Sequence, residues 1–417
     1  MRAAAACVLA QSVGSLEFST APMMGHTHAH HHYFWRLISK RSAWYSEMLP
    51  APLLLEQPHL ARLPTADGNA VLQLGGSDPA ELRAAAAVAA DLGYRELNLN
   101  CGCPSAAVSG GHAAGAALMR DADRVVACLG AMRDGAPGVR LSVKHRLGAV
   151  DFRDYDVDDD EARGAAAAEA SATAFVAAIA DGAPFVDTFV VHRRLALLGD
   201  GLSDGARRSL ARRAGAPRAD DGYGKVAAFA AKTGRASTLA NRHVPPLRPG
   251  VVPALRAAFP GKRFVANGGY ETLEAALGAR DVQVGRAIVN HPCAFSRVDA
   301  AFYGEGESGR TRGDVLDAYI EYVADAAPAA ENDRRRALAP AYHLFAGEPR
   351  NAKYQRTIKK LAGTKLASTS AATILRAART EVAESLARPL ADFAPLGALP
   401  VYERESPKSG PLQRLVR

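Results

Sequence analysis

The chain has 417 residues, enough for one barrel-sized domain with a smaller one beside it. Its five cysteines, Cys7, Cys101, Cys103, Cys128 and Cys293, are too few and scattered for a disulfide framework; this points to a reducing compartment, and no apolar run is long enough for a membrane span. Lysine and arginine outnumber the acids 51 to 43, a net charge of +8 that suits a polyanionic partner without by itself selecting nucleic acid.

Residues 1–15 read as an N-terminal extension, Ala-rich with Arg2 and no acid. That composition fits a mitochondrial or plastid targeting segment or an untargeted extension of a cytoplasmic protein. Leu16 to Met24 reads as a first strand entering a Pro-containing turn. Thr27 to Lys40 follows as a helix with Phe34, Leu37 and Ile38 on one side. His28, His30, His31 and His32 crowd its start. A metal site needs ligands held in place by further contacts, so these are read as a solvated helix start and no metal is expected.

Ala43 to Leu49 and Ala70 to Leu74 are the next strands, followed by an Ala-rich helix from Asp78 to Leu92 capped by Ser77 or Asp78. Glu96 to Cys103 alternates as a strand and stops at Pro104, which has no N–H to donate. A Gly-rich loop at Ser109-Gly110-Gly111, a helix through Met119 and another from Asp121 to Arg133 come next. Strands then fall at Arg140–Arg146, Val186–His192, Arg263–Ala266 and Asp281–Gly285, separated by helices at Ala162–Asp181, Val251–Phe259 and Thr272–Leu277. Eight apolar strands alternating with helices predict an α/β fold, a (β/α)8 TIM barrel over residues 16–305. A doubly wound sheet is the alternative, but no G-x-G-x-x-G follows the first strand.

Chemistry in such barrels gathers at the C-terminal ends of the strands. Here those ends carry Met23 and Met24, Glu47, Gln73, Asn100 with Cys103, Lys144 with His145, His192 with Arg194, Asn267 with Gly268-Gly269, and Gly285 with Arg286. A thiol on a turn at a strand end is placed to meet a substrate, although Cys101 and Cys103 also read as small buried hydrophobes. The glycines after strands seven and eight let backbone N–H groups approach a phosphate, with Arg286 adding a charged partner; tight turns need the same glycines. Gln73, Lys144 and His192 are donors suited to a flat heterocycle. Lys144 near a flavin's N1–C2 edge would stabilise the negative charge formed on reduction.

From Arg310 the β/α rhythm stops, and residues 310–386 read as a small all-helical domain with helices at Val315–Ala326, Arg334–Phe345 and Ala352–Leu361. In the last of these, Tyr354, Ile358 and Leu361 make an apolar face. Lys353, Arg356 and Lys360 form a basic stripe turned roughly 130° from it. Such a stripe suits an RNA backbone and equally a plain solvated face. Residues 387–417 read as a flexible Pro-rich tail.

These stretches together resemble the tRNA-dihydrouridine synthases, most closely the A-type subgroup. The matching residues are Ala21-Pro22-Met23-Met24 with Thr27, Tyr45-Ser46-Glu47-Met48, Leu72-Gln73-Leu74-Gly75-Gly76-Ser77, Glu96 to Ser105, Val143-Lys144-His145-Arg146, Val191-His192 with Arg194, Asn241-Arg242, Asn267-Gly268-Gly269 and Val284-Gly285-Arg286. The resemblance implies an FMN enzyme that uses NADPH to reduce a uridine of tRNA, in the D-loop for this subgroup, to 5,6-dihydrouridine. It implies hydride transfer from flavin N5 to C6 and a proton to C5 from Cys103, and it sets Cys101 aside. FMN would be held by Pro22, Met23, Met24, Gln73, Lys144, His192, Asn267, Gly268, Gly269, Gly285 and Arg286. Asn100, Arg194, Arg242, Lys353 and Arg356 would meet the tRNA, the last two from the helical domain. There are two departures. His28 stands where the family has an acid, and an Arg- and Ala-rich insertion at about 204–236, including Arg207, Arg208, Arg212, Arg213 and Arg218, replaces a short loop. The insertion reads as disordered and solvated, or as extra phosphate contacts.

Overall fold

The protein is described by a computed structural model over residues 17–105, 114–156, 159–160, 164–199, 201, 203–214, 230, 232, 240–326, 331–363 and 369–393. Eight strands run parallel: β1 (Phe18–Thr20), β2 (Ala43–Tyr45), β3 (Ala70–Gly75), β4 (Glu96–Cys101), β5 (Arg140–His145), β6 (Thr188–His192), β7 (Arg263–Asn267) and β8 (Val282–Val284). They pair in sequence, and β1 also pairs with β8, so the sheet closes into the expected (β/α)8 barrel.

Alternation along the strands divides the core into two compartments. Leu72, Leu74, Leu97, Leu99, Val143, Phe189, Val191 and Phe264 point outward and pack under the helices. Tyr45, Val71, Val190 and Val265 point inward and form a small plug. Below the plug, Arg263 bridges Glu17 at 2.5 Å and Asp281 at 2.6 Å. The interior is therefore closed at the strands' N-terminal ends, and the polar positions above the plug lie at the opposite mouth.

The helices around the barrel include α1 (Ala29–Ile38), α2 (Ala51–Glu56), α3 (Pro79–Asp91), α4 (Ala122–Gly135), α5 (Gly164–Gly182), α6 (Asp204–Ala214), α7 (Val251–Ala258) and α8 (Leu273–Leu277). Asp78 caps α3, its Oδ1 accepting the N–H groups of Ala80 and Glu81 at 2.8 and 3.0 Å. The C-terminal region adds α9 (Arg312–Ala326), α10 (Glu331–Leu338), α11 (Asn351–Gly363) and α12 (Ala371–Arg379). The helix expected over Arg334–Phe345 breaks because Pro340 has no N–H; a 3₁₀ turn at Pro340–His343 follows α10. This region docks on α1. Tyr33 stacks on Tyr322 at 3.9 Å between centroids, and His30 Nδ1 lies 2.9 Å from the Tyr322 hydroxyl.

Four further expectations change. The strand at Glu96 ends at Cys101, two residues early, because the Asn100 side chain captures the next two N–H groups. The histidines are not solvated: His28, His31 and His32 are buried, His32 Nε2 lies 2.8 Å from Asp67 Oδ2, and His31 Nδ1 accepts the Trp44 indole N–H at 3.1 Å. Part of the insertion is packed, since Ala206 and Leu210 of α6 join a cluster with Phe152, Tyr155, Leu197 and Val244. The start of the tail is anchored. Leu390 is buried, and buried Arg312 donates to the carbonyls of Pro389 and Asp392, both at 2.6 Å. Residues 1–16, Ser109–Gly111, Arg218 and the rest of the tail from 394 lie outside the described residues.

Candidate active site

Every second residue of the barrel strands faces inward, and Gln73, Asn98, Asn100, Lys144, His192 and Asn267 all fall on that phase. Three of them form an amide relay. Gln73 Nε2 donates to Asn98 Oδ1 at 2.7 Å, and Asn100 Nδ2 donates to Gln73 Oε1 at 2.7 Å. Asn98 in turn donates to Ser142 Oγ at 3.0 Å. These groups are buried, so the relay orients each amide at little cost in unpaired donors.

Asn100 also shapes the loop that carries the thiol. Its Oδ1 accepts the N–H groups of Gly102 at 3.1 Å and Cys103 at 2.9 Å, turning the chain at the rim. Arg146 ties that loop to its neighbours, donating to the carbonyls of Gly102 and Leu195 at 2.9 Å and of Asn241 at 3.3 Å. Burial raises the Cys103 pKa; a backbone N–H from Ser105 and the charges of Arg146, Lys144 and Arg242 pull the other way without reversing it. Cys103 is therefore a protonated thiol at neutral pH, close to three cations. Cys101, one step out of phase, is buried in the outer core, and burial raises its pKa far out of the working range.

Lys144 Nζ donates to Asn267 Oδ1 at 3.1 Å, and Asn267 Nδ2 donates to the Gln283 carbonyl at 2.8 Å. Burial first, then Arg146, brings the Lys144 pKa down to about 7, with Cys103 opposing. His192 is held well below its ordinary pKa by burial and then by Arg146, Lys144, Arg194 and Arg286. A neutral imidazole thus stands among cations, as a site built for an anionic ligand requires. Gly268 and Gly269 have φ of +99° and +78°. A Cβ at Gly268 would lie 3.2 Å from His192 Nε2, so that position needs glycine for both its backbone and its space. Gly285 lies against Met23, and Pro22 and Met23 are half-buried beside it while Met24 and Arg286 are exposed. Ring-facing donors on β3, β5 and β6 thus face a glycine-lined side on β7 and β8, an arrangement able to hold a planar ring with a phosphate tail.

Residues 19–172 match the family model described as dihydrouridine synthase (Dus). The chain is 34% identical over 316 residues to the tRNA-dihydrouridine(20/20a) synthase of Pseudomonas syringae pv. tomato, covering 74% of this chain and 78% of that one. The enzyme of that name from Xanthomonas campestris pv. campestris is 35% identical over 318 residues, at 74% and 78% coverage. That from Synechocystis is 31% identical over 347 residues, at 82% and 87%. The chain belongs to the dihydrouridine synthase family.

In this member of the family the remaining site residues fall into two groups. Arg194 and Arg242 sit half-buried at the mouth, Arg194 donating to the Pro245 carbonyl. Lys353 and Arg356 lie elsewhere, on the exposed side of α11, whose buried face carries Tyr354 and Ile358. Lys353 is paired with Glu381 at 2.8 Å, whereas Arg356 is exposed.

Several residues of the site were not singled out from sequence. Asn98 and Arg146 could have been found from the strand phase and the motif beside Lys144. The ion pair of Glu47 with Arg336 could not, because its partners are 289 residues apart. Buried Glu47 also accepts the Gly25 N–H at 2.7 Å, so it joins the first loop of the mouth to α10. Among the described residues no group of three His, Cys, Asp or Glu side chains comes together to hold a metal ion, and no helix is long and apolar enough to cross a membrane.

Proposed function

We propose that the protein reduces a uridine of tRNA to 5,6-dihydrouridine at its barrel mouth, with FMN as cofactor and NADPH as reductant. The observation that carries this reading is the placement of a protonated thiol, Cys103, on the same rim as Gln73, Lys144 and His192, its backbone fixed by Asn100. The relatives bear the name tRNA-dihydrouridine(20/20a) synthase, and we propose the same pair of target positions here.

The residues present fit a flavin. Gly268 and Gly269 leave space where any Cβ would crowd His192 or Leu247, and His192 Nδ1 is buried without a partner among the described residues. Pro22, Met23, Gln73, Lys144, His192 and Asn267 would line the ring and ribityl chain, and Gly268, Gly269, Gly285 and Arg286 the phosphate. When bound and reduced, FMN supplies a hydride to C6 of uracil. Lys144, able to take up a proton near neutrality, would balance negative charge at the ring's polar edge. Asn100 and Arg146 hold the Cys103 loop, and the Cys103 thiol delivers a proton to C5 from the other face. A uridine in folded tRNA must leave its stack to enter, and Arg194 and Arg242 at the mouth would meet its flanking phosphates.

The test is to purify the protein and supply either bulk unmodified tRNA or free uridine with NADPH. Flavin absorbance in the purified protein and NADPH-dependent reduction of tRNA but not of uridine support the reading. Turnover of the free nucleoside at the same rate would assign a small-molecule reductase instead.

A further inference from the structure

Gln283 sits in the middle of β8, between Val282 and Val284, which both enter the outer core. The alternation of the strand therefore turns its side chain to the barrel interior. Gln283 is fully buried, and among the described residues neither its Oε1 nor its Nε2 has a hydrogen-bond partner. A buried carboxamide with donor and acceptor both unpaired is costly, and an apolar residue of similar size would serve the bare fold better.

Its neighbours place it at the level of the site. Gln283 is in register with Asn267 on β7 and Ser19 on β1. Its backbone carbonyl takes the Asn267 amide at 2.8 Å, and Asn267 in turn accepts Lys144 Nζ at 3.1 Å. The next inward position on β8, Gly285, carries no side chain, and Met23 and Ala21 pack against it. Gln283 thus lies on the glycine-lined side of the mouth, below the phosphate-side backbone and across from the ring-side donors.

We infer that the Gln283 carboxamide hydrogen-bonds the polyol chain of the flavin nucleotide, the part that joins ring to phosphate. The inference rests on the flavin reading above. Hydroxyls both give and accept hydrogen bonds, which matches a carboxamide that needs one partner of each kind. A phosphate, which mainly accepts, offers no such pairing, and the mixed edge of the isoalloxazine, which does, belongs with the donors of Gln73, Lys144 and His192 on the other side of the barrel.

The experiment is a binding titration of flavin-free protein with FMN, riboflavin and lumiflavin, which lacks the polyol, comparing the natural protein with Gln283→Met. Thermal unfolding of the flavin-free variant checks its fold, and it should melt at or above the natural temperature. The expected result is affinity for FMN and riboflavin lowered about 5- to 20-fold with lumiflavin unaffected. Equal FMN affinity in both proteins overturns the inference and assigns the carboxamide to a buried water. An equal loss for all three ligands overturns it too, since it locates the damage at the ring. If the natural protein binds no FMN at all, the flavin reading itself has failed.

Discussion

The side-chain oxygen of Asn100 accepts the backbone N–H of Cys103 at 2.9 Å. The same side chain donates to Gln73 Oε1 at 2.7 Å, so one residue sets the positions of the thiol and of a ring-side amide. Asn100→Ala removes both links and leaves the Gln73 carbonyl oxygen short of a donor. We expect a loss of about 2–4 kcal/mol in stability from the freed groups. Reduction of tRNA should fall at least about tenfold, while FMN stays bound. Urea unfolding and single-turnover kinetics check the two halves separately.

Lys144 gives a pH signature. Its ordinary pKa of 10.5 falls to about 7 in the folded protein, with burial as the main cause. Between those values the unfolded chain binds more protons than the folded one, so this residue makes stability rise with pH over that window and adds nothing beyond it. The slope is at most about 1.4 kcal/mol per pH unit. Thermal unfolding of flavin-free protein at pH 7 to 10 should show the rise, and Lys144→Met should remove it.

Arg336 holds Glu47, which is buried and, among the described residues, keeps only the Gly25 N–H when the arginine is gone. Arg336→Ala should cost about 1–3 kcal/mol, less than a fully buried pair because Arg336 reaches solvent. Adding Glu47→Gln should recover part of that loss. A double-mutant cycle by urea unfolding measures the coupling.

The basic face of α11 is testable without touching the mouth. Arg356 is exposed, whereas Lys353 is engaged by Glu381. Arg356→Glu should weaken tRNA binding and lower the salt dependence of affinity by about one unit of slope, with NADPH oxidation by the flavin unchanged. Lys353→Glu should weaken binding less, since its charge is already partly balanced. Filter binding across a salt series reads both.

The barrel was legible because each strand is a short apolar run and a polar residue or glycine recurs at the same end. The site was legible for the related reason that Gln73, Asn100, Lys144, His192 and Asn267 share one pleat phase. Cys101 and Cys103 show how fine that signal is: two residues apart, one is core and the other is rim, because Asn100 turns the chain between them. What stayed hidden depends on distant partners. The histidines at α1 looked solvated because Asp67, Trp44 and Tyr322, which engage them, lie elsewhere in the chain. The tail looked mobile because its anchor, Arg312, precedes it by 77 residues at Pro389. Composition alone made α6 look disordered, although Ala206 and Leu210 give it an apolar face.

The central claim is that Cys103 supplies the proton when this chain reduces uridine in tRNA. It is tested most directly by mapping dihydrouridine, position by position, in an unmodified tRNA incubated with NADPH and flavin-loaded protein. We predict new dihydrouridine at positions 20 and 20a with the natural protein, and a rate lower by about 10²-fold or more with Cys103→Ala, which should retain its flavin. Dihydrouridine formed at equal rates by both proteins, or by neither, would contradict the account.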